Sequence, residues 1–384
     1  MTTFLGYERT DGSVGIRNHI AVISVMDNCN PVTRAIVDAV DGTLAVTTLF
    51  VRGQLGEDLQ ITLNTLAGLA VNPNIAGVVL IGLEPGVTTD LANRIKPAGR
   101  PLVAFNLQEV GGSIEAIARG TRAAAKMVRE ASRQRRVAAP LSKLMIGVEC
   151  GGSDTTSGLA ANPSIGVVAD RMVAAGAKIV ISETSEFFGA EHLFAERAAT
   201  PAVGQKFLKE VRDFEKNIME HGIDLRGSNP TPDNMKGGLT TIEEKALGAM
   251  AKAGTSPLVG VLSYSEKPTK AGLHFMSTPA PAVESLTGLA AGGCQMCLFS
   301  TGVGNPIGSM VSTTIKVTGN RNTVDTFSDN IDFDVTAILE KNEPLDSAGG
   351  RLFDYTVSVA SGELTTSEVL DMRETCISRF QPSM

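Results

Sequence analysis

Short apolar segments alternate with helix-like segments along most of the chain, and this alternation limits the fold more than any other feature. Apolar strands that are joined by helices bury both faces of a parallel sheet. The predicted strands are residues 19–25, 77–83, 101–106, 144–148, 178–182, 258–262, 295–300 and 314–318. The predicted helices are residues 31–40, 88–95, 111–130, 163–176, 201–221 and 347–359. A further helix is predicted to start at an N-cap, Thr240 or Thr241, and to end before Gly254. The pattern predicts an α/β fold with two Rossmann-like domains whose wound sheets are mostly parallel.

The alternation breaks at residues 132–142, where Arg135, Arg136 and Pro140 interrupt it and indicate a linker. A chain of 384 residues is also too long for one ordinary core. We therefore predict an N-terminal α/β domain over residues 1–135 and a C-terminal catalytic α/β domain, with a metal site, over residues 143–384.

Composition excludes several classes of protein. A net charge of −7, no Trp and only three Tyr argue against nucleic acid as a partner. No apolar stretch approaches the roughly 20 residues that cross a bilayer, and the first residues lack the pattern of a leader. Five cysteines form no even disulfide framework and fit a reducing compartment. We expect a cytoplasmic enzyme without a membrane span.

Polar side chains cluster directly after two of the predicted strands. Cys150, Ser153 and Asp154 follow the first, and Glu183, Glu186 and His192 follow the next. The carboxyl ends of parallel strands are where α/β enzymes assemble their sites. Carboxylate and imidazole ligands suit a divalent metal such as iron. The alternatives are a turn with a buried thiol and a helix N-terminus whose acids complement its dipole.

A lone Cys-x-x-Cys pair, Cys294 and Cys297, gives only a weak zinc signal. Because it falls in a predicted strand, we expect Cys294 to face the site and Cys297 the core. The glycine-rich run at residues 300–309 has neither the spacing of a dinucleotide fingerprint nor that of a P-loop. Its backbone amides, with Gly302 and Ser309, could instead bind a carboxylate or a sulfonate.

Two further segments carry candidate groups. Arg17, beside Asn18, could pair with both oxygens of a substrate carboxylate, although a turn and capping segment is an equal alternative. Residues 222–238 form a polar stretch that is too long for an idle connection, and we expect a functional loop there.

Several of these segments together resemble the altronate/galactarate dehydratase family. The resemblance rests on residues 6–18, 150–154, 182–186, 189–192, 229–230, 237–245 and 299–302, in that order, and it covers nearly the whole chain. It implies an iron-activated elimination from a sugar acid through an enol that ketonises. It also implies that the region from Cys150 to His192 holds the metal and the acid and base groups, and that the N-terminal domain forms a dimer surface.

Two departures from the family pattern bear on the substrate. The first motif starts at Phe4, with no small β-clip domain ahead of it, so that domain is expected to be absent or a separate subunit. Near the C-terminus the dehydratases tend to carry Cys-Gly after an Asp-rich stretch, whereas this chain has residues 329–336 without it. Both departures are similar to the large subunits of sulfolactate sulfo-lyases, which act with a small subunit and release bisulfite to leave pyruvate.

We therefore expect a lyase that removes a β-substituent from a small 2-hydroxy acid anion. Lys245, Glu183 or His192 would take the C2 proton. Fe²⁺ or another divalent metal would stabilise the enediolate. The predicted metal ligands are Cys150, Asp154, Glu186, His192 and Cys294. The predicted substrate contacts are Arg17, Asn18, Ser153, Gly302 and Ser309. A sugar-acid dehydratase and a non-catalytic ligand-binding subunit are the alternatives, and a homodimer or higher oligomer is expected.

Overall fold

A computed structural model describes residues 2–49, 51–222, 224 and 229–379. Its strands are β1 (Thr3–Glu8), β2 (Val14–Gly15), β3 (His19–Ser24), β4 (Thr43–Val46), β5 (Ile75–Gly82), β6 (Leu102–Asn106), β7 (Val137–Pro140), β8 (Met145–Cys150), β9 (Lys178–Ile181), β10 (Leu258–Leu262), β11 (Gly272–Met276), β12 (Met296–Ser300), β13 (Gly308–Ser309), β14 (Thr313–Thr318), β15 (Phe333–Asp334) and β16 (Arg373–Glu374).

The helices alternate with these strands. They are α1 (Asn30–Ala39), α2 (Gly56–Ala70), α3 (Pro85–Ile95), α4 (Leu107–Val110), α5 (Ser113–Ala131), α6 (Asn162–Ala174), α7 (Glu191–Glu196), α8 (Pro201–Glu220), α9 (Pro232–Lys236), α10 (Ile242–Met250), α11 (Ala282–Ala291), α12 (Arg321–Thr326), α13 (Ala337–Glu340), α14 (Leu345–Ala360) and α15 (Thr366–Val369).

The N-terminal part is built on a parallel sheet in the order β4-β3-β5-β6. Every residue of β5 is buried, as expected for a strand with helices on both faces. The helices α1 and α5 pack against the sheet and against each other, as do α2, on β3 and β5, and α3, on β5 and β6. The predicted α/β class is confirmed here.

The C-terminal part is built on a second parallel sheet in the order β10-β11-β9-β8-β12-β14-β15. The chain runs from β8 to one side through β9, and it later returns to the other side at β12. The strand order therefore reverses between β8 and β12, where Cys150 is paired with Ser300. Ligands of wound α/β sheets bind in the crevice beyond the carboxyl ends of strands at such a switch point.

A third, antiparallel sheet of β2, β1 and β7 was not predicted from the sequence. β7 lies within the segment that the sequence indicated to be a linker, and it pairs with β1 over residues 3–6. The prediction missed β7 because four residues ending in proline show no clear alternation. The connection is thus a strand that brings the start of the chain against it.

Two buried asparagines join the two parallel sheets. The Nδ2 of Asn72 donates to the carbonyls of Ala290 and Cys294, and the Nδ2 of Asn74 donates to those of Gln295 and Val311. These bonds satisfy backbone carbonyls that would otherwise be buried without partners. No helix in the described ranges is both long enough and apolar enough to span a membrane.

Candidate functional site

The loops that follow β8 and β12 are hydrogen-bonded to each other at the switch point. The N–H of Gly151 donates to the carbonyl of Ser300 at 3.0 Å, and the N–H of Gly302 donates to that of Gly152 at 3.0 Å. A side chain on Gly302 would collide with the carboxyl group of Asp154. The two loops predicted to carry the site therefore meet at the carboxyl edge, and Gly302 is needed for their close approach.

Asp154 begins the helical segment that continues through a π-helical turn (Ser157–Ala161) into α6. Its Oδ1 accepts from the Thr156 hydroxyl at 2.7 Å and from the backbone N–H of Ser157 at 2.9 Å. Its Oδ2 accepts from Asn320 Nδ2, at 2.7 Å. Both oxygens are thus used to cap the helix and to hold the loop after β14. These hydrogen bonds give Asp154 a structural role, and its role as a metal ligand stays a prediction.

Glu183 lies at the centre of a buried polar cluster after β9. Its Oε2 accepts from Lys252 Nζ at 2.6 Å and from the backbone N–H of Cys150 at 2.9 Å. Its Oε1 accepts from the Cys150 thiol at 3.4 Å. Burial raises the pKa of the Glu183 carboxyl, and Lys252 opposes the rise. Because both oxygens are occupied, Glu183 is a poor candidate for the base that the sequence predicted.

Burial also raises the pKa of the Cys150 thiol to about 12, with a further contribution from Glu183. With this pKa the thiol is protonated at neutral pH when no metal is bound. Burial alone would lower the pKa of Lys252, but Cys150 and Glu183 outweigh it and the pKa is raised. The cluster therefore contains a protonated thiol beside a buried ion pair.

Glu186 and Lys245 form a second ion pair, in which Glu186 Oε1 lies 2.9 Å from Lys245 Nζ. Asn229 Oδ1 accepts a second hydrogen bond from the same ammonium at 2.7 Å. The other oxygen of Glu186, Oε2, is buried and has no partner among the described residues. An unpartnered buried oxygen costs free energy, and such an atom is expected where a ligand or reacting group is to be met.

Lys245, one partner of this ion pair, lines a cavity of about 270 Å³. Ser153, Asp154, Lys245, Leu239 and Leu247 are among the residues that line it. The backbone of Ser153 is fixed by a residue of α9, because Asn234 Nδ2 donates to the Ser153 carbonyl at 2.8 Å. The predicted substrate contact Ser153 and the predicted base Lys245 are therefore brought to one cavity.

Aromatic packing fixes the short turn that carries Glu186. Phe187, the next residue, contacts the rings of Phe194, Phe207 and Phe275 at centroid distances of 4.9 to 5.3 Å. Aromatic contacts of this kind are specific in geometry as well as apolar. The position of Glu186 at the edge of the sheet is thus set by a core that the neighbouring helices supply.

The predicted functional loop contributes to the site through residues 229–238. Asn229 holds Lys245, and α9 carries Asn234 through a capping box with Thr231. The carbonyl of Gly237 accepts from the backbone N–H of Thr155 at 3.0 Å. Residues 223 and 225–228 of the predicted loop lie outside the described residues.

Glu149, on β8, is completely buried and was not singled out from the sequence. Its Oε2 accepts from the hydroxyls of Ser182 and Ser285 at 2.7 and 2.6 Å. Burial, and then the nearby Glu183, raise its pKa well above the ordinary value. Burial therefore favours the neutral form of the Glu149 carboxyl, which lies beside the Glu183–Lys252 ion pair.

The residues present do not fit the predicted set of iron ligands. Within residues 2–49, 51–222, 224 and 229–379, no three His, Cys, Asp or Glu side chains are grouped as a metal site requires. His192 is exposed on the first turn of α7 and makes no contact with the Glu183 cluster. Its predicted roles as base and as ligand are therefore not supported by the geometry.

Cys294 lies at the wrong edge of the sheet for a metal ligand. It precedes β12, whereas Cys150 is paired with Ser300 at the far end of that strand. The four residue steps of β12 alone separate these ends by about 13 Å. Cys294 is fully buried, and burial raises the pKa of its thiol. The prediction that Cys294 faces the site is therefore wrong.

Arg17 does not bind a substrate anion. Its Nε and Nη2 donate to both carboxylate oxygens of Glu368 at 2.6 and 2.8 Å, and its remaining N–H groups reach the carbonyls of Ile16, Val359 and Glu363. Asn18 is also structural, since it bonds to Arg9 and to the Ala131 carbonyl. Both substrate-binding predictions are corrected, because these side chains join the two ends of the chain.

Ser309 lies at the amino end of the second sheet rather than at the site. Its N–H donates to the hydroxyl of Thr314, near the start of β14, at 3.1 Å. Its own hydroxyl accepts from the backbone N–H of Ser312 at 3.2 Å. The glycine-rich run therefore begins at the site, with Gly302, and leaves it before Ser309, which corrects the prediction that Ser309 binds substrate.

The sequence did contain a signal for one missed residue, Lys252. Lys245 and Lys252 are seven residues apart in a predicted helix, and this spacing places both on one face. Glu149 could have been noticed as an acid inside an apolar strand. No local signal marks Asn229 or Asn320, because their roles depend on partners from other elements.

Two family models match this chain, and together they cover most of it. One, described as D-galactarate/altronate dehydratase, C-terminal, matches residues 141–383. The other, described as D-galactarate dehydratase/altronate hydrolase, second domain, matches residues 6–132.

Curated relatives agree with these matches. The (2R)-sulfolactate sulfo-lyase subunit beta of Chromohalobacter salexigens is 40% identical over 99% of this chain and 98% of its own length. The altronate dehydratase of Bacillus subtilis is 33% identical over 98% of this chain and 77% of its own length. The galactarate dehydratase (L-threo-forming) of Escherichia coli is 32% identical over 95% of this chain and 74% of its own length. The resemblance inferred from the motifs is confirmed: the chain belongs to the D-galactarate/altronate dehydratase family and is a lyase.

Proposed function

We propose that this chain is the large subunit of a two-subunit lyase that converts (2R)-sulfolactate into pyruvate and bisulfite. The observation that carries the proposal is the 40% identity to a sulfo-lyase subunit beta, over 98% of that protein. The dehydratase relatives are less similar, at 33% and 32% identity. The switch-point site, with its two ion pairs, supports a reaction that moves a proton.

The elimination needs a base at C2 and a path for the group that leaves C3. When the C2 proton is removed, its bonding electrons form the C2–C3 double bond while the C3–S bond breaks. The sulfur departs with the electron pair of that bond as sulfite, which takes up a proton to become bisulfite. The remaining enol gains a proton at C3 and loses its hydroxyl proton, and pyruvate results.

We assign the removal of the C2 proton to Glu186, whose ion-pair partner Lys245 lines the cavity. Its Oε2 has no hydrogen-bond partner among the described residues, whereas both oxygens of Glu183 are already occupied. Lys245 lines the cavity, and its ammonium lies 2.9 Å from Glu186 Oε1. A fixed positive charge at this place favours the negative charge that develops on the substrate carboxylate as the proton leaves. Asn229 holds that ammonium in place.

Iron remains a prediction from the family resemblance, and no step above is assigned to it. Fe²⁺ or another divalent metal would supply Lewis-acid chemistry at the enediolate. Elemental analysis of protein purified without added metal, followed by activity after chelation and after reconstitution with Fe²⁺, Mn²⁺ or Mg²⁺, tests it. Full activity in metal-free protein would remove the metal from the proposal.

Three further features belong to the proposal. The relative named as a subunit beta supports a partner subunit, and we expect a small β-clip subunit. A homodimer or higher oligomer of the large subunit is expected from the family resemblance. The five cysteines are all free thiols, which supports a reducing cytoplasm as the place of action.

A sugar-acid dehydratase is the second candidate, favoured by the two dehydratase relatives. The same base and the same ammonium would serve it, but hydroxide is a poorer leaving group than bisulfite and requires an acid at C3. A non-catalytic subunit is disfavoured, because buried ion pairs with an unpartnered oxygen cost stability and a scaffold has no use for them.

The proposal is tested by an anaerobic assay of the chain co-expressed with its small partner and loaded with iron. Sulfolactate, altronate and galactarate are supplied separately, and bisulfite and 2-keto acid are measured together. Equal amounts of bisulfite and pyruvate from sulfolactate are expected. A keto-deoxy sugar acid without bisulfite would assign the chain to the dehydratases.

A further inference from the structure

Lys252 does not line the substrate cavity and lies in the buried polar cluster around Glu183. It follows α10 on the 3₁₀ turn Ala251–Ala253, and its side chain is 1% exposed. Its Nζ donates to Glu183 Oε2 at 2.6 Å. A buried ammonium and carboxylate are costly to remove from water, so the pair is maintained against a substantial desolvation cost.

Glu183 has a backbone conformation that its residue type disfavours. Its φ is +69°, in the left-handed region that mainly glycine and asparagine adopt. Left-handed residues of other types persist only where the surroundings fix them, and they concentrate at functional sites. Here the carboxylate of Glu183 is held by Lys252 and by both the N–H and the thiol of Cys150.

The conformation of Glu183 decides where Glu186 points. The 3₁₀ turn Thr184–Phe187 starts from Glu183, and the N–H of Glu186 donates to the Glu183 carbonyl at 2.9 Å. One helical segment therefore holds both ends of the turn: Lys252 holds Glu183, and Lys245, seven residues earlier, holds Glu186. Seven residues correspond to about two helical turns, so both ammonium groups project from one face.

We propose that Lys252 is a positioning residue for the elimination. Its ion pair keeps residue 183 in the left-handed conformation and so places Glu186 Oε2 for the C2 proton. This inference rests on the proposed role of Glu186 as base. Lys252 itself does not line the cavity, so it acts on the rate of the reaction rather than on the capture of substrate.

The first test is Lys252→Met in the co-expressed two-subunit enzyme, with steady-state kinetics on the acid that the wild type converts. We expect kcat to fall about 100-fold, as for a reacting group displaced by about 1 Å, while KM changes less than about twofold. The control is Lys206→Met, whose Nζ donates to the Val261 carbonyl away from the site and whose loss should leave kcat unchanged. An unchanged kcat in Lys252→Met would overturn the inference.

A double variant separates positioning from simple loss of stability. Lys252→Met leaves Glu183 buried and unpaired, and its melting temperature should fall by several degrees. Adding Glu183→Gln removes the unpaired charge and should restore most of that loss. If Lys252 positions Glu186, kcat stays low although the melting temperature recovers. A kcat that recovers together with the melting temperature would show a structural role only and contradict the inference.

The wild-type measurement distinguishes this inference from the proposed function. Wild-type enzyme that forms a keto-deoxy sugar acid and no bisulfite refutes the proposed substrate, whereas the ratio of variant to wild-type kcat on that acid still decides the role of Lys252. Wild-type enzyme that forms bisulfite supports the proposed function whichever way the Lys252 ratio falls.

Discussion

Two buried ion pairs of this protein are similar in composition and differ in how many of their hydrogen-bond donors and acceptors have partners. Arg17 with Glu368 joins the ends of the chain, and Lys245 with Glu186 lies at the carboxyl edge of the second sheet. The side chains are 5% and 8% exposed in the first pair and 11% and 6% in the second, so burial does not distinguish them.

Hydrogen bonding does distinguish them. All five N–H groups of Arg17 are used, and Glu368 also accepts from Thr313 and Thr365. Glu186, in contrast, has one buried oxygen without a partner in the part of the chain that the structure describes. A pair whose donors and acceptors are all hydrogen-bonded has none left for a ligand and can only stabilise the fold. A pair with an unbonded acceptor can still bind a ligand or a proton, at a cost in stability. Four predictions test this difference.

The largest effect is expected from Glu186→Gln. Removing the base should lower kcat about 10³-fold, within the range for general base catalysis, while the melting temperature changes little. Steady-state kinetics and thermal unfolding measure the two quantities. Glu191→Gln is the matched control, because Glu191 also has a buried oxygen without a partner among the described residues but does not take part in the ion pair with Lys245, and its kcat should be unchanged. A kcat within tenfold of wild type in Glu186→Gln would exclude Glu186 as the base.

The saturated pair should show the opposite response. Arg17→Met leaves Glu368 buried without its partner, and the free energy of unfolding should fall by about 3–5 kcal/mol. The kcat and KM of the folded protein should not change. Urea unfolding and kinetics measure these effects. The exposed pair of Arg94 with Asp90 provides the control, and Arg94→Met should cost less than about 1 kcal/mol. A large rise in KM with intact stability would restore the anion-binding role predicted for Arg17.

Glu149 gives a pH-dependent effect of intermediate size. Its pKa is raised in the folded protein, so the folded state holds its proton more tightly than the unfolded state. Stability is therefore lost as pH rises above the ordinary glutamate pKa of 4.5. Glu149→Gln, which cannot ionise, should escape this loss, and its stability relative to wild type should increase by at least about 1 kcal/mol between about pH 5 and about pH 8.

Urea unfolding at the two pH values measures this difference. A Glu149→Gln protein whose advantage does not grow with pH would mean that Glu149 is ionised in the folded state.

The smallest effect on activity is expected from Cys294→Ala. This thiol lies at the amino edge of the sheet, so kcat and metal content should be unchanged and only about 1 kcal/mol of packing should be lost. Cys150→Ala is the matched comparison at the carboxyl edge, and it should lower kcat because Glu183 loses a donor. Loss of bound metal in Cys294→Ala would reinstate Cys294 as a ligand.

Much of the candidate site followed from one local rule. Strand ends were predictable from apolar runs, and side chains that follow parallel strands meet at one edge. Cys150, Ser153, Glu183, Glu186 and Gly302 were found in this way. The same rule, applied strictly, would have excluded Cys294, which precedes its strand.

The sequence by itself determined the alternation of strands and helices, the class of fold and the edge of the sheet at which polar groups gather. These depend on side-chain periodicity, which is local. Only the tertiary structure decided which of those groups are free. Arg17 is bonded to Glu368, 351 residues away, and Asp154 to Asn320, 166 residues away, whereas one buried oxygen of Glu186 has no partner among the residues described. Hydrogen-bond saturation depends on partners that the strand order brings together, and no local pattern in the chain encodes it.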